Sequence, residues 1–268
     1  MEQSTRMTIF ISSPNEYSDV FDVFYKFYEK NLKDCSFPIV LATNTNEKEY
    51  EGIKVYRNGI TGDSWTSRAI PVLREINTKY ILVMCDDLFV EELNESKLNS
   101  VLSYMDEHDV NFCRIAPLKK GKKALKNPKL RKVKKNLPYG INLQIGIYNR
   151  EYLLEMLGDG TKSAWQIESD LVEATLNAKN EYFDDVIACG EPVVRFIHGV
   201  VKGQWLPSAL RKIEKYGINV VGERKVMSRS QERKIAVKGA IGALMPVKMR
   251  YVVKKLLGKC GVKFATKN

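Results

Sequence analysis

Residues 80–85, Tyr-Ile-Leu-Val-Met-Cys, are apolar throughout, and the run stops on two adjacent carboxylates, Asp86 and Asp87. A segment of this length without polar alternation reads as a buried strand inside an α/β sheet. The carboxyl ends of parallel strands are where open sheets of this kind bind ligands. Neighbouring acids raise each other's cost of ionisation unless a cation or strong donors stabilise them, and a divalent ion carrying a diphosphate meets that need. Acids are also favoured at helix caps and first turns, so the pair alone fits a helix start equally well.

The rest of the chain supplies the alternation such a sheet requires. Thr8-Ile-Phe-Ile-Ser-Ser predicts a first strand ending on small polar residues, and residues 16–31 a helix. Phe37 to Asn44 predicts a second strand, residues 53–57 a short third, and residues 66–77 a helix leading into the strand at 80–85. This β-α-β order without a Gly-rich phosphate loop predicts a mostly parallel, Rossmann-like sheet with right-handed crossovers. Beyond the acids, helices are expected at 96–109, 149–157 and 163–179, and strands at 110–116, 141–148, 182–188 and 193–197.

Charge divides the chain. Residues 1–221 hold 30 basic and 30 acidic side chains, whereas residues 222–268 hold 13 and 2. Within the neutral part, residues 119–135 carry ten Lys and Arg and no acid, broken by Gly121 and Pro128, and read as a mobile basic loop. From Val237, apolar residues recur at helical spacing through Leu257, with a hinge near Pro246 and lysines largely off the stripe. Residues 222–268 are therefore expected to form a basic amphipathic helical tail that lies on an anionic membrane surface. Packing on the core would also explain the stripe. Nucleic-acid binding would not need one, and no nucleic-acid partner is expected.

The five cysteines are scattered without a C-x-x-C pair, which argues for a reducing compartment and against structural zinc. The first residues lack a signal-peptide pattern, and no window reaches transmembrane length. The expected location is cytoplasmic, peripheral on the inner face of the cell membrane.

Four segments, in this order and spacing, resemble the GT-A fold nucleotide-sugar glycosyltransferases, in particular bacterial enzymes that build surface polysaccharides such as capsule and O-antigen. They are Asp63-Ser-Trp65-Thr-Ser-Arg68, the run ending at Asp86-Asp87, Trp165-Gln-Ile-Glu168, and Val200-Val-Lys202-Gly-Gln-Trp205. The resemblance covers residues 8 to about 216 and makes residues 1–221 the catalytic domain. It implies that Asp86 and Asp87 hold a divalent metal (Mn2+ or Mg2+) or the donor's ribose and diphosphate, with His198 at the place of a third metal ligand. Asp86-Asp87 replaces the usual Asp-x-Asp, which leaves metal dependence open.

The resemblance further implies Glu168 as general base, with Asp170 in reserve. Asp63, Trp65 and Arg68 would belong to the donor site, Arg68 reaching the nucleotide or phosphates through its fork. Lys202 would close over the diphosphate and Trp205 latch that closure, while Ser12 and Asn44 would line the nucleoside pocket. Each has a plainer reading: a first-turn acid for Glu168, a surface ion pair for Arg68, an exposed turn for Lys202 and a structural histidine for His198. The implied partners are a UDP-sugar donor and a lipid-diphosphate-linked glycan acceptor. Two rivals stand beside this reading, a nucleotidyltransferase and a non-catalytic α/β protein that binds membrane or nucleic acid.

Overall fold

Residues 7–57 begin the sheet with two strands buried on both faces and a third, partly exposed one at its edge. The computed structural model describes residues 5–118, 122–124, 127–175 and 181–244. Strand β1 (Met7–Ser12) leads through a 3-10 turn at Asn15–Tyr17 into helix α1 (Ser18–Asn31), then β2 (Ile39–Thr43) and β3 (Ile53–Arg57). Ser64 opens α2 (Trp65–Glu75) through a capping box with Ser67, which satisfies donors a helix start otherwise leaves unpaired. Strand β4 (Tyr80–Met84) follows and inserts on the far side of β1, so that the order is β3-β2-β1-β4 with all four parallel.

The sheet continues through elements from the second half of the chain. These are β6 (Phe112–Arg114), β7 (Lys123–Ala124), β8 (Asn127–Lys134), β9 (Ile145–Asn149) and β10 (Tyr182–Cys189). The nine-stranded order is β3-β2-β1-β4-β9-β6-β10-β8-β7. Seven strands run one way and only β8 and β9 oppose them, so the sheet is mostly parallel, as expected.

Side chains along the strands alternate between two apolar layers, the period-2 signature of a sheet covered on both faces. Ile9, Ile11, Leu82 and Met84 join α1, α3 (Glu95–Glu107) and α6 (Pro207–Lys215) in one core; Phe10, Ile81 and Val83 join α2, α4 (Arg150–Leu157) and α5 (Ala164–Thr175) in the other. A separate ribbon pairs β5 (Leu88–Leu93) with β11 (Val194–His198), and a tight hairpin joins β12 (Val200–Val201) to β13 (Gln204–Trp205).

Two expectations change here. The segment 119–135, expected as a mobile loop, is in its described part a β-hairpin that extends the sheet: Leu130 and Val133 are buried while Lys129 pairs with Glu191 and Lys135 with Glu181. Lysines on an edge hairpin keep that edge from pairing with another chain, which gives the charge run a structural role. The division at 221 also falls inside a packed segment. Val226 bridges Trp205, Met227 is buried, and Arg224 pairs with Asp19 of α1.

The last described element, α7 (Arg229–Leu244), is held at its first turn, where the Ser208 backbone N–H donates to Glu232 over 3.2 Å. The side chains of residues 233–238 are exposed, Val237 at 56%. Most of the expected apolar stripe, from Met245 onward, lies outside the described residues. Among the described residues no helix is long and apolar enough to cross a membrane.

Candidate active site

The chain leaves β1 toward β2 on one side and returns to β4 on the other, so the crevice at the carboxyl ends of β1 and β4 is the topological switch point of the sheet. Ser13 follows β1 and Asp86 follows β4, and the Ser13 hydroxyl donates to the Asp86 carboxylate over 2.5 Å. Asp86 is 8% exposed. Burial pushes its carboxyl up to about 7, Asp87 pushes the same way, and Ser13 and the Arg224 charge pull against them.

The second acid is met by His198 because of strand register. In the β5–β11 ribbon His198 lies opposite Leu88, and Gly199 N–H donates to the Asp87 carbonyl over 2.8 Å. His198 Nε2 is thereby 3.1 Å from Asp87 Oδ2. Hydrogen bonding to Asp87 raises the imidazole's pKa, against the opposing effect of burial. This contact is a hydrogen bond as it stands; a carboxylate and an imidazole could both serve Mn2+, whereas Mg2+ favours oxygen ligands. Among the described residues no set of three His, Cys, Asp or Glu side chains is arranged to hold a metal, and Asp86 is engaged by Ser13. Any ion here would take its remaining ligands from a bound phosphate or water.

Near the acids lies a polar cavity of about 400 Å³ whose lining sets three bases, Lys202, Arg224 and Lys225, against three acids, Glu16, Asp19 and Glu223. Arg224 grips Asp19 with two nitrogens, at 2.8 and 2.7 Å, and its guanidinium lies 4.3 Å from the Tyr17 ring centre. Tyr17 feels the charges of Arg224, Asp86 and Asp87, which ties the cavity to the acid pair. Lys202 and Gly203 form the turn of the β12–β13 hairpin at φ +52° and +72°, the left-handed pair that a two-residue hairpin requires. This holds Lys202 at the cavity wall as an exposed side chain.

The ends of β1 and β2 are tied together more tightly than the sequence suggested. Asn44 is 1% exposed and accepts from the Asn15 backbone N–H over 2.8 Å. Arg68 and Asp63 form a buried ion pair, with Arg68 Nε donating to Ser12 Oγ over 3.2 Å and Asn58 donating to Asp63 over 2.5 Å. Expected to reach donor phosphates, Arg68 is instead committed inward, because a guanidinium this deep needs its carboxylate. Trp65 is half-buried and meets Phe10 edge-on at 6.2 Å, at the rim of this network.

Glu168 is 8% exposed on α5, and its Oε1 accepts the Leu143 backbone N–H over 2.7 Å. Because β9 runs against β4, with Met84 opposite Ile145, the turn before β9 lies at the same sheet edge as Asp86. Cys85 senses all three carboxylates: burial, then Asp87, Asp86 and Glu168, hold its thiol well above the usual range. Burial also raises the pKa of Glu168, partly offset by Leu143.

Two expected residues lie elsewhere. Asp170 is an exposed partner of Lys162 at 2.6 Å, since two positions along a helix turn a side chain by about 200° from Glu168. Trp205 is 2% exposed and packs on Phe89 at 5.9 Å, so it anchors the Lys202 hairpin from the core and does not latch it from above. Ser13, Tyr17, Asp19 and Arg224 were missed by sequence reasoning. Ser13 is signalled only by the doublet Ser12-Ser13, and the 205-residue separation of Asp19 from Arg224 leaves no linear signal.

No family model and no curated protein matches the chain. Solved structures similar to it include S. aureus TarS 1–349, at 12% identity and a TM-score of 0.47, with 81% of this chain and 67% of that chain covered. Mannosyltransferase PcManGT from Pyrobaculum calidifontis, in complex with GDP-Man and Mn2+, is 12% identical with a TM-score of 0.44, covering 75% and 58%. A cytidylyltransferase from Leptospira borgpetersenii is also 12% identical with a TM-score of 0.44, covering 84% and 100%. Likeness at this level decides no activity, and the functional reading rests on the residues above.

Proposed function

We propose that this chain is a GT-A-type glycosyltransferase that moves a sugar, with inversion, from a nucleotide-sugar donor to a lipid-diphosphate-linked glycan during cell-surface polysaccharide synthesis. One observation carries the reading. A cluster suited to a diphosphate (Asp86, Asp87, His198 and Lys202) lies at the same end of the β4–β9 pair as a separate buried carboxylate, Glu168, fixed by a backbone donor. Inverting transfer needs those two parts: a place to neutralise the leaving diphosphate and a base for the incoming hydroxyl.

In this mechanism Lys202 supplies positive charge as the donor's phosphate departs, while Arg224, held by Asp19, shapes the cavity wall beside it. Asp87 and His198 would hold a divalent ion, whose part when bound is to neutralise the two phosphates. Asn44 and Ser12, fixed by Asn15 and Arg68, shape the nucleoside end. Glu168, with Oε1 held by Leu143, offers Oε2 to the acceptor hydroxyl, and its raised pKa strengthens it as a base. The outward α7 and the basic tail would rest on the anionic inner face of the cell membrane, where the lipid-linked acceptor lies.

The test is a thermal-shift panel of UDP, GDP, CMP and their sugar conjugates, each with Mn2+, Mg2+ or EDTA. Stabilisation by one nucleotide series, a UDP series on this reading, is expected, and the EDTA arm reports whether Asp87 and His198 act through an ion. No shift in any arm, with vesicles present or absent, removes the donor site and with it the proposal.

A further inference from the structure

Two aromatic side chains near Glu168 have no part in the donor site. Tyr139 is 37% exposed between half-buried Pro138 and buried Gly140, and its backbone φ is +56°. For a bulky residue that conformation is a genuine outlier, one that persists only when its surroundings hold it. They do. The Tyr139 carbonyl accepts from Arg114 Nη1 over 3.1 Å and from Asn142 Nδ2 over 3.2 Å. Asn142 is 4% exposed, takes the Gln144 N–H on its own oxygen over 3.1 Å, and gives its carbonyl to the Tyr148 hydroxyl. The next residue, Leu143, is the one whose N–H fixes Glu168 over 2.7 Å. One braced turn therefore presents the Tyr139 ring at one end and orients the base at the other.

Trp165 stands on the Glu168 side from a different element. It is 36% exposed and precedes Glu168 by three positions on α5, which places the two on neighbouring parts of one helix face. Glu168 also contributes, after burial, to the raised pKa of the Tyr139 phenol, which sets the two groups within electrostatic reach. A glycine would occupy the Tyr139 backbone conformation without strain, so the ring itself has to account for the tyrosine.

We infer that Tyr139 and Trp165 form an acceptor subsite, an aromatic platform on which a pyranose ring of the acceptor rests with its attacking hydroxyl at Glu168. The chemistry rests on the transferase reading; the sugar affinity does not. In the transfer step the acceptor oxygen bonds to the donor's anomeric carbon as the anomeric carbon–phosphate oxygen bond breaks. The hydroxyl proton passes to Glu168, and the bonding electrons leave with the nucleoside diphosphate.

The test titrates p-nitrophenyl and methyl glycosides of glucose, galactose, mannose and N-acetylglucosamine into wild type, Tyr139→Ala, Tyr139→Gly and Trp165→Phe. Binding is read from the Trp165 fluorescence, taken as wild type minus Trp165→Phe, and from transfer kinetics with the donor found in the thermal-shift panel. At least one glycoside is expected to bind wild type, with Tyr139→Ala raising its KM tenfold or more while the donor's thermal shift stays the same. Tyr139→Gly is expected to lose the acceptor equally while melting at the wild-type temperature or above, an outcome a merely structural tyrosine does not give. Glycoside binding without any nucleotide-sugar binding keeps the subsite and sinks the transferase reading. Nucleotide-sugar binding with the same glycoside affinity in wild type and Tyr139→Ala, or with none in wild type, overturns the subsite.

Discussion

Asp86→Asn should make the protein more stable above neutral pH and poorer at holding its donor. In the native state the Asp86 carboxyl is pushed up to about 7 from its ordinary 3.8, chiefly by burial. Well below its ordinary 3.8 the group is protonated whether the chain is folded or not, and it costs nothing. As pH rises, the unfolded chain releases this proton first, so stability is lost progressively until the folded group also ionises near 7. Each tenfold step in proton affinity is worth about 1.4 kcal/mol, which sets the full loss at about 4 kcal/mol. Asparagine keeps the shape and can still accept the Ser13 hydroxyl, but it carries no charge.

The assay is urea unfolding of both proteins from pH 4.5 to 8, read as variant minus wild type so that other titrating groups cancel. The gap should open by about 3 kcal/mol over that range in favour of the variant. A divalent ion should close it by supplying the positive charge that Asp86 lacks. A gap that stays flat within about 0.5 kcal/mol, or an Asp86 carboxyl that titrates near 4, would refute the reasoning. Ser13 and Arg224 would then suffice to stabilise the ionised form.

Glu168→Gln should lower turnover by roughly 10²–10⁴ while leaving the donor's thermal shift in place, and near-normal transfer would remove it as base. Asp63→Ala leaves Arg68 buried and uncompensated, so a loss of about 3–5 kcal/mol is expected in urea unfolding. A loss below about 1 kcal/mol would show that water reaches Arg68. A chain ending at Leu244 should keep its melting temperature and leave anionic vesicles in a flotation assay; equal flotation refutes the membrane role of the tail. A chain ending at residue 221 should additionally melt at least roughly 2–4 °C lower, because it loses the grip of Arg224 on Asp19.

Strands β1, β2 and β4 were legible because each is an apolar run closed by polar residues, and β3 by its alternation, while the helices between them repeat at helical spacing. Of the ribbon β5–β11, the strand at 193–197 was legible and β5 was not. Leu88-Phe-Val-Glu-Glu-Leu follows the acids without a turn signal, and its pairing with residues 194–198 is a tertiary fact. The hairpin at 123–134 was hidden by its lysines, which mask Leu130 and Val133 as core positions. At the site, Asp86, Asp87 and Glu168 announce themselves as carboxylates ending a strand or opening a helix. Asp170 could have been set aside from helix geometry alone. Which partners neutralise those acids was not readable, since local pattern says nothing about Ser13 meeting Asp86 or Arg224 meeting Asp19.

The grip of Arg224 on Asp19 also orders events in time. Asp19 and Tyr17 leave the ribosome early, yet the side chain that completes their wall of the cavity comes 205 residues later. At about 5–20 residues per second, the interval is roughly 10–40 s. During synthesis the first strands can form while that wall of the cavity is still open. A chain stopped short of residue 224 would therefore carry its whole nine-stranded sheet and lack one wall of the cavity.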